Sequence, residues 1–231
     1  MNAPSHLKNL LSPAKVRILP FAVFMLFVVA SSLLPSPDGI AGDWDSRLLY
    51  VARTIVVGGL LLLFWNRYQE LAMAELRRCE WPAAVATGVL VFLLWIALDQ
   101  PWATLGEPKG FDPRGADGAI DWGLTLPRLI GLALVVPVME ELFWRSFLQR
   151  WIDAPDFEAV DPRRASRRAL LVTAAVFALE HNMLVAGFVA GLAYGALYWR
   201  SGNLWSPVIA HAVTNGLLGA WILASGSWHL W

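Results

Sequence analysis

An all-α, polytopic transmembrane bundle of about seven spans is the fold this sequence predicts, and three observations predict it. First, 57% of the 231 residues are hydrophobic and 16% charged, against about 45–50% and about 25% in ordinary soluble domains. Second, the apolar residues fall in charge-free runs long enough to cross a hydrocarbon core of about 30 Å. Third, the charges that remain gather in the short segments between those runs. The 18 basic and 18 acidic side chains balance, so the basic excess that counterion-driven nucleic-acid binding needs is missing and no nucleic-acid partner is expected. The single cysteine, Cys79, excludes an intrachain disulfide and a Cys-rich metal site, so any bound metal has to rest on His, Glu and Asn.

The spans are placed in order near residues 18–35, 48–66, 82–98, 126–150, 164–182, 184–199 and 207–224. The first follows Lys15 and Arg17 and resembles a secretory signal, but its core exceeds the usual length and the alternation of loop charges needs it as a retained anchor. The second contains Arg53, which must snorkel or pair. The third is charge-free. The fourth ends in a run of charged residues, and the last three share a stretch after residue 169 whose only formal charges are Glu180 and Arg200. Asp161-Pro162 and Ser206-Pro207 read as helix starts, a capping side chain before a proline in the first turn. Gly187, Gly191 and Gly195 recur every four residues, which marks close helix contact. Gly42, Gly106, Gly110, Gly115, Gly118 and Gly226 fall in connections, and tryptophans 44, 81, 102, 122, 151, 205 and 228 sit near span ends as an aromatic belt.

Lys8, Lys15, Arg17, Arg67, Arg77, Arg78, Arg150, Arg163, Arg164, Arg167, Arg168 and Arg200 fall on one side of this arrangement, and Arg47, Lys109 and Arg114 on the other. The positive-inside rule then puts the N-terminus in the cytoplasm and the C-terminus outside. We read one membrane domain over residues 1–231: helices one to three with the external loop 99–121 in residues 1–121, and the helices that carry the polar residues in 122–231.

Ionisable groups inside a membrane span are costly, so each needs a reason. Glu141 and Arg145 are one helical turn apart and can pair as structural support, which leaves Glu140 without a partner on its own helix. Pro137, one turn earlier, removes an N–H that would have reached the Ala133 carbonyl and should kink the helix. Phe177 and His181 share one helical face, as do His211 and Asn215. Phe177 reads as packing; Glu180 either faces a watery cavity or pairs with a base on another helix. An unpartnered carboxylate, two histidines and an amide thus come from three helices. Cys79 reads as an ordinary buried thiol.

In this order, Glu140-Glu141 with Arg145, Phe177 with His181, and His211 with Asn215 resemble the motifs of the CAAX protease and bacteriocin-processing family of intramembrane proteases, over about residues 125–220. The segment Asp45-Ser46-Arg47-Leu48-Leu49-Tyr50 and the terminal Trp228-His229-Leu230-Trp231 are similar to its CAAX prenyl protease-related subgroup, associated with exosortase and exopolysaccharide systems. The resemblance implies a multi-pass protein of the bacterial inner membrane. It would be an endopeptidase that cuts a peptide or protein near the membrane, in a C-terminal, leader or sorting segment, with components of an exosortase system among its partners. It implies Glu140 as the base that activates water, His181 as a holder of that water, and His211 and Asn215 as donors to the oxyanion. It also admits a zinc ion held by Glu140, His181 and His211. With no His-Glu-x-x-His pair in the sequence, metal-free chemistry is preferred. An idle membrane scaffold or immunity factor on the same fold, or a proton or cation transporter, are the other readings. Since His211 lies only about 6 Å past Pro207 along its helix, a shared site requires residues 202–206 to dip into the bundle.

Overall fold

The structure is a computed structural model and describes residues 11–33, 47–106 and 110–231. Gly42, Trp44, Asp45, Ser46, Lys8 and Lys109 lie outside the described residues. Within them, seven long helices account for most of the chain: α1 (Pro13–Leu33), α2 (Leu48–Phe64), α3 (Trp81–Ala97), α4 (Trp122–Trp151), α5 (Arg167–Ala178), α6 (Leu184–Ser201) and α7 (Trp205–Ser225). The only β pairing among the described residues is a lone antiparallel bridge between Arg114 and Ile120.

Each predicted segment is helical, with corrections at the ends. Four stretches, Pro13–Ser31, Leu48–Arg67, Trp122–Trp151 and Trp205–Ser225, are long and apolar enough to cross a membrane. α3 falls one residue short of that length at 17. α5 has only 12 residues, about 18 Å of helix, so the fifth segment does not cross the core alone. Its start moves from 164 to 167 because Ser166, not Asp161, caps it: the Ser166 Oγ accepts the Ala169 N–H at 3.0 Å, while Asp161 caps only a short 3-10 turn. α7 likewise begins before Ser206-Pro207, with Asn203 Oδ1 accepting the Trp205 N–H at 2.9 Å. α4 starts at Trp122, where the Asp121 side chain accepts the Gly123 N–H at 2.8 Å and the Leu124 N–H at 3.3 Å.

Trp81, Trp102, Trp122 and Trp151 are exposed at or near helix ends, and Leu26, Ile55, Leu62, Leu90, Leu93 and Leu134 are exposed along helix flanks. That is the inside-out polarity of a protein solvated by lipid. Inside, α7 packs on α3, and α6 packs on α5 and α7. Two apolar clusters result, one joining α1, α2 and the middle of α4 to Tyr198 and Val208, the other joining α3, α5, α6 and α7 around Trp144, Phe177 and Tyr194. The charge-bearing part of α4 is in contact with both.

The glycine stripe sets the α5–α6 spacing. A Cβ at Gly191 would stand 2.9 Å from the Cα of Ala174, and one at Gly187 3.1 Å from the Cα of Ala178, so only glycine permits this approach. At the end of α6, Gly202 takes φ +65°, with Arg163 packed against it. The chain then turns inward, with Leu204, Ser206, Pro207 and Val208 buried. The start of α7 is covered by the segment between α2 and α3, where Asn203 Nδ2 donates to the Glu75 carbonyl at 2.7 Å. Cys79 is buried with its Sγ 3.6 Å from Ser206 Oγ, and burial pushes its thiol up.

Candidate active site

α4 is not a uniform helix. It widens to π-helical geometry over Gly131–Val135 and again over Leu142–Leu148, so the α-helical stretch Val136–Glu141 that ends in the glutamate pair is flanked by two wide turns. The proline effect expected at the Ala133 carbonyl is displaced by this widening. In the first π segment the N–H of Val136 bonds to the Gly131 carbonyl; the next carbonyl in that register, Leu132, faces Pro137, which has no N–H to give. Asn215 fills the gap, donating from Nδ2 to the Leu132 oxygen at 2.9 Å. One hydrogen of the Asn215 amide is thus fixed and the other is free.

Glu141 is fully buried and holds two partners. Its Oε2 lies 3.2 Å from Arg145 Nε, the expected pair, and its Oε1 accepts His211 Nδ1 at 3.0 Å. The second contact was not legible in the sequence, since it joins α4 to α7. Arg145 also donates to the Gly191 carbonyl at 3.2 Å and lies over the Phe177 ring at 4.7 Å. Phe177, expected as packing, therefore also fixes the guanidinium that balances Glu141, and its ring stands edge-on to His211 at 6.3 Å. Tyr194 stacks on the other side of the catalytic candidates: its ring is 4.9 Å from that of His211 at 20°, and its hydroxyl donates to Thr214 Oγ1 at 2.7 Å.

His181 lies beyond the end of its helix, yet its ring stays beside that of Phe177, with centroids 4.8 Å apart. α5 ends at Ala178, and residues 179–183 form a turn. The imidazole is set by a backbone group instead, its Nδ1 hydrogen donated to the Phe177 carbonyl at 3.0 Å, with Trp95 edge-on at 5.4 Å. In both histidines Nδ1 is occupied, which leaves Nε2 for chemistry. Glu180 takes the first of its two expected roles: it lines the cavity and accepts Trp144 Nε1 at 3.1 Å.

Glu140, Glu180, His181, His211 and Asn215 all line one cavity of about 280 Å³, whose walls also include apolar side chains such as Phe24, Leu132, Val136 and Leu218. Glu140 is 6% exposed and its Oε2 is buried with no hydrogen-bond partner. A buried carboxylate oxygen without a partner is costly to keep, and the cavity is where a ligand or water can satisfy it. The candidate zinc set fits less well: among the described residues no group of three or more His, Cys, Asp or Glu is arranged to hold a metal ion. Sequence reasoning missed Tyr194, Thr214, Trp95 and Arg128, all of which line the cavity; the polar residues Arg128 and Thr214 within apolar runs were the signal that could have found two of them.

No curated protein and no solved structure matches the chain. A family model does, the one described as type II CAAX prenyl endopeptidase Rce1-like, over residues 122–217. Those residues comprise α4, α5, α6 and most of α7, the helices that bear every candidate motif. Over those helices the chain is similar to the CAAX protease family that this model describes.

Proposed function

We propose that the chain is an intramembrane endopeptidase in which Glu140, not a metal ion, activates the water. The observation that carries this reading is the unpartnered carboxylate oxygen of Glu140 in the cavity that also holds His181, His211 and Asn215. Glu140 takes a proton from a water that is oriented by a hydrogen bond to His181 Nε2. The hydroxide oxygen attacks the peptide carbonyl carbon, and the carbonyl oxygen becomes an oxyanion. The free Nδ2 hydrogen of Asn215 donates to it. Because His211 Nδ1 donates to Glu141, its Nε2 can donate only when the ring carries a second proton, and Glu141 is the carboxylate that balances that charge. When the tetrahedral intermediate collapses, the C–N bond breaks and the proton held by Glu140 passes to the leaving nitrogen.

Glu140→Gln keeps the size and hydrogen-bonding reach of the side chain but not its basicity. The test compares peptide termini in membrane fractions of cells carrying the intact chain or this variant. We expect the variant to accumulate normally and processing to fall by about 10²–10⁴-fold. The same comparison identifies the substrate, shows whether it is prenylated, and shows whether it belongs to an exosortase system. Unchanged processing would leave a scaffold as the better reading. Metal content of the purified protein decides the second point: bound zinc lost on His181→Ala would replace the metal-free scheme.

A further inference from the structure

Glu180 is an acid that the mechanism above does not use. It lines the cavity with Glu140 and His181, and its Oε2 accepts Trp144 Nε1 at 3.1 Å. Among the described residues its other oxygen accepts no hydrogen bond, and the side chain forms no ion pair. The bases around it are engaged elsewhere. Arg145, whose charge reaches Glu180, is committed to Glu141 at 3.2 Å. Arg53 and Arg128 line the cavity too, yet their guanidiniums lie on the Tyr50 ring at 4.2 and 4.3 Å. Glu140, 6% exposed, also keeps an oxygen without a partner, and the charge of Glu180 is felt there. Two carboxylates therefore face one small, largely apolar space, and neither is paired with a base among the described residues. Such an arrangement is costly until a cation or a donor enters.

We infer that Glu180 receives the cationic group of a basic side chain beside the scissile bond, so that the preferred substrate carries lysine or arginine next to the cut. This rests on the endopeptidase reading above. Two short links place that side chain at the cut. Glu180 directly precedes His181, so their Cα atoms are about 3.8 Å apart. Trp144, which holds the Glu180 carboxylate, stands four residues beyond Glu140 on α4, about 6 Å along the helix axis. The acid that grips the cation is thus about one helical turn from the groups that handle the water. The walls suit such a side chain as well. Trp95 and Phe177 line the same cavity, both in ring contact with the neighbouring His181 at 5.4 and 4.8 Å. Ring faces and one open carboxylate oxygen are what a cation on an apolar stem needs. A neutral side chain leaves the second Glu180 oxygen unpaired, and an acidic one adds a third negative charge, so both are discriminated against.

The test reads binding, so it does not depend on turnover. Hexapeptides of norleucine, capped by an N-terminal dansyl group and a C-terminal amide and N-methylated along the backbone so that they cannot be cut, carry a single lysine at each position in turn. The uncharged all-norleucine peptide is the reference. Each is titrated by fluorescence anisotropy against the full chain in phosphatidylcholine nanodiscs, with the signal of empty nanodiscs subtracted. We expect lysine at one position, or at two adjacent ones, to bind at least about tenfold more tightly than norleucine, the value of one charge-assisted hydrogen bond. The preference should vanish in Glu180→Gln, which keeps an acceptor for Trp144 but not the charge, and persist in Glu140→Gln. Equal binding of lysine and norleucine at every position, no binding of any peptide, or a preference spread evenly over all positions overturns the inference, and none of these needs a variant that has to fold. A preference that survives Glu180→Gln overturns it too, as does one lost in Glu140→Gln, which would make the proposed base the anchor. Loss of the preference when phosphatidylethanolamine replaces phosphatidylcholine would make a lipid ammonium the occupant, with the same consequence. The two readings separate cleanly: Glu140-dependent cleavage without a lysine preference sinks only the Glu180 site, and a lysine preference without cleavage sinks only the protease.

Discussion

Asn215 commits one amide hydrogen to the helix and, in the proposed mechanism, gives the other to the oxyanion, so its removal has two separable effects. Asn215→Ala strands the Leu132 carbonyl in the Pro137 gap and removes an oxyanion donor; we expect activity to fall by about 10²–10³-fold and the melting temperature to drop measurably. Asn215→Asp, which can no longer donate to Leu132 when ionised, should lose at least as much stability. Glu141 and Arg145 are a different case. Arg145 touches Glu141, the Gly191 carbonyl and the Phe177 ring, and removing it leaves a fully buried carboxylate facing only His211, a cost of about 3–5 kcal/mol for breaking a buried pair. Arg145→Ala should therefore fail to accumulate. Glu141→Gln combined with Arg145→Met should recover protein but not activity, because a neutral amide in place of the Glu141 carboxylate cannot balance the charge that the proposed mechanism places on His211. Recovery of full activity by the double variant, measured as processing per unit of accumulated protein, would remove Glu141 from the site.

The elements were legible to the extent that lipid dictates them. Charge-free runs near residues 18–37, 81–98 and after 200 have no alternative in a membrane, and α1, α3 and α7 lie in them. The glutamate pair, the two histidines and Asn215 also stood out, since polar groups in such runs need a purpose. What could not be read were features decided between elements: the end of α5 at Ala178, the two wide turns of α4, and the reach of His211 to Glu141. Periodicity within one helix carries no record of them. Gly191 links the two levels. A methyl group there would meet the Ala174 Cα and carbonyl oxygen, backbone atoms that cannot rotate away, so Gly191→Ala must push α5 aside and carry Phe177 and His181 with it. We expect a loss of about 1–3 kcal/mol from overpacking and a matching loss of activity. Gly59 on α2 has nothing within 4 Å of its added Cβ, and Gly59→Ala should leave stability unchanged or raise it by about 0.5–1 kcal/mol. Thermal denaturation in one detergent compares the two, and equal effects would show that α5–α6 spacing is not limiting.

At the scale of the whole molecule, the two ends of the bundle are held by different chemistry. At one end Arg17, expected only as a loop charge, is buried: it donates to Glu70 at 2.8 and 2.9 Å and to Ser146 Oγ at 3.1 Å, and it lies over the Phe157 ring at 5.0 Å. The Ser146 hydroxyl donates to Glu70 as well, and Arg150 reaches Ser146 Oγ at 2.9 Å. This ties α1, the segment after α2 and the end of α4 together. Burial pushes the Glu70 carboxyl up, but the Arg17 hydrogen bonds and charge outweigh it and leave it below the usual carboxylate range. A depressed carboxylate stabilises above its unfolded value of about 4.3 and loses that contribution as pH falls through the folded value. The melting temperatures of the intact chain and Glu70→Gln should therefore differ at pH 7 and converge as the medium is acidified below about pH 4.

The opposite end joins two segments that loop charges alone had placed on one side. The Phe111 N–H donates to the Trp228 carbonyl at 3.1 Å, His229 Nε2 lies 2.8 Å from Asp99 Oδ2, and Arg47 donates to the Asp112 and Arg114 carbonyls at 3.3 and 3.0 Å. Whatever the orientation in the membrane, Gly110 and Trp231 must then share a face, and Arg78, separated from them by α3, must lie on the other. We propose that the Arg78 face is cytoplasmic, where the excess of Lys and Arg belongs. Reporters fused after Arg78 and in the loop 153–161 should read cytoplasmic, and those at Gly110 and after Trp231 external. The relative and absolute parts fail separately. If all four reporters invert, the packing stands and only the orientation is wrong. If Gly110 and Trp231 read on different faces, the contact between the loop and the terminal segment does not exist in the membrane, and the place of Leu230 in the cavity wall goes with it.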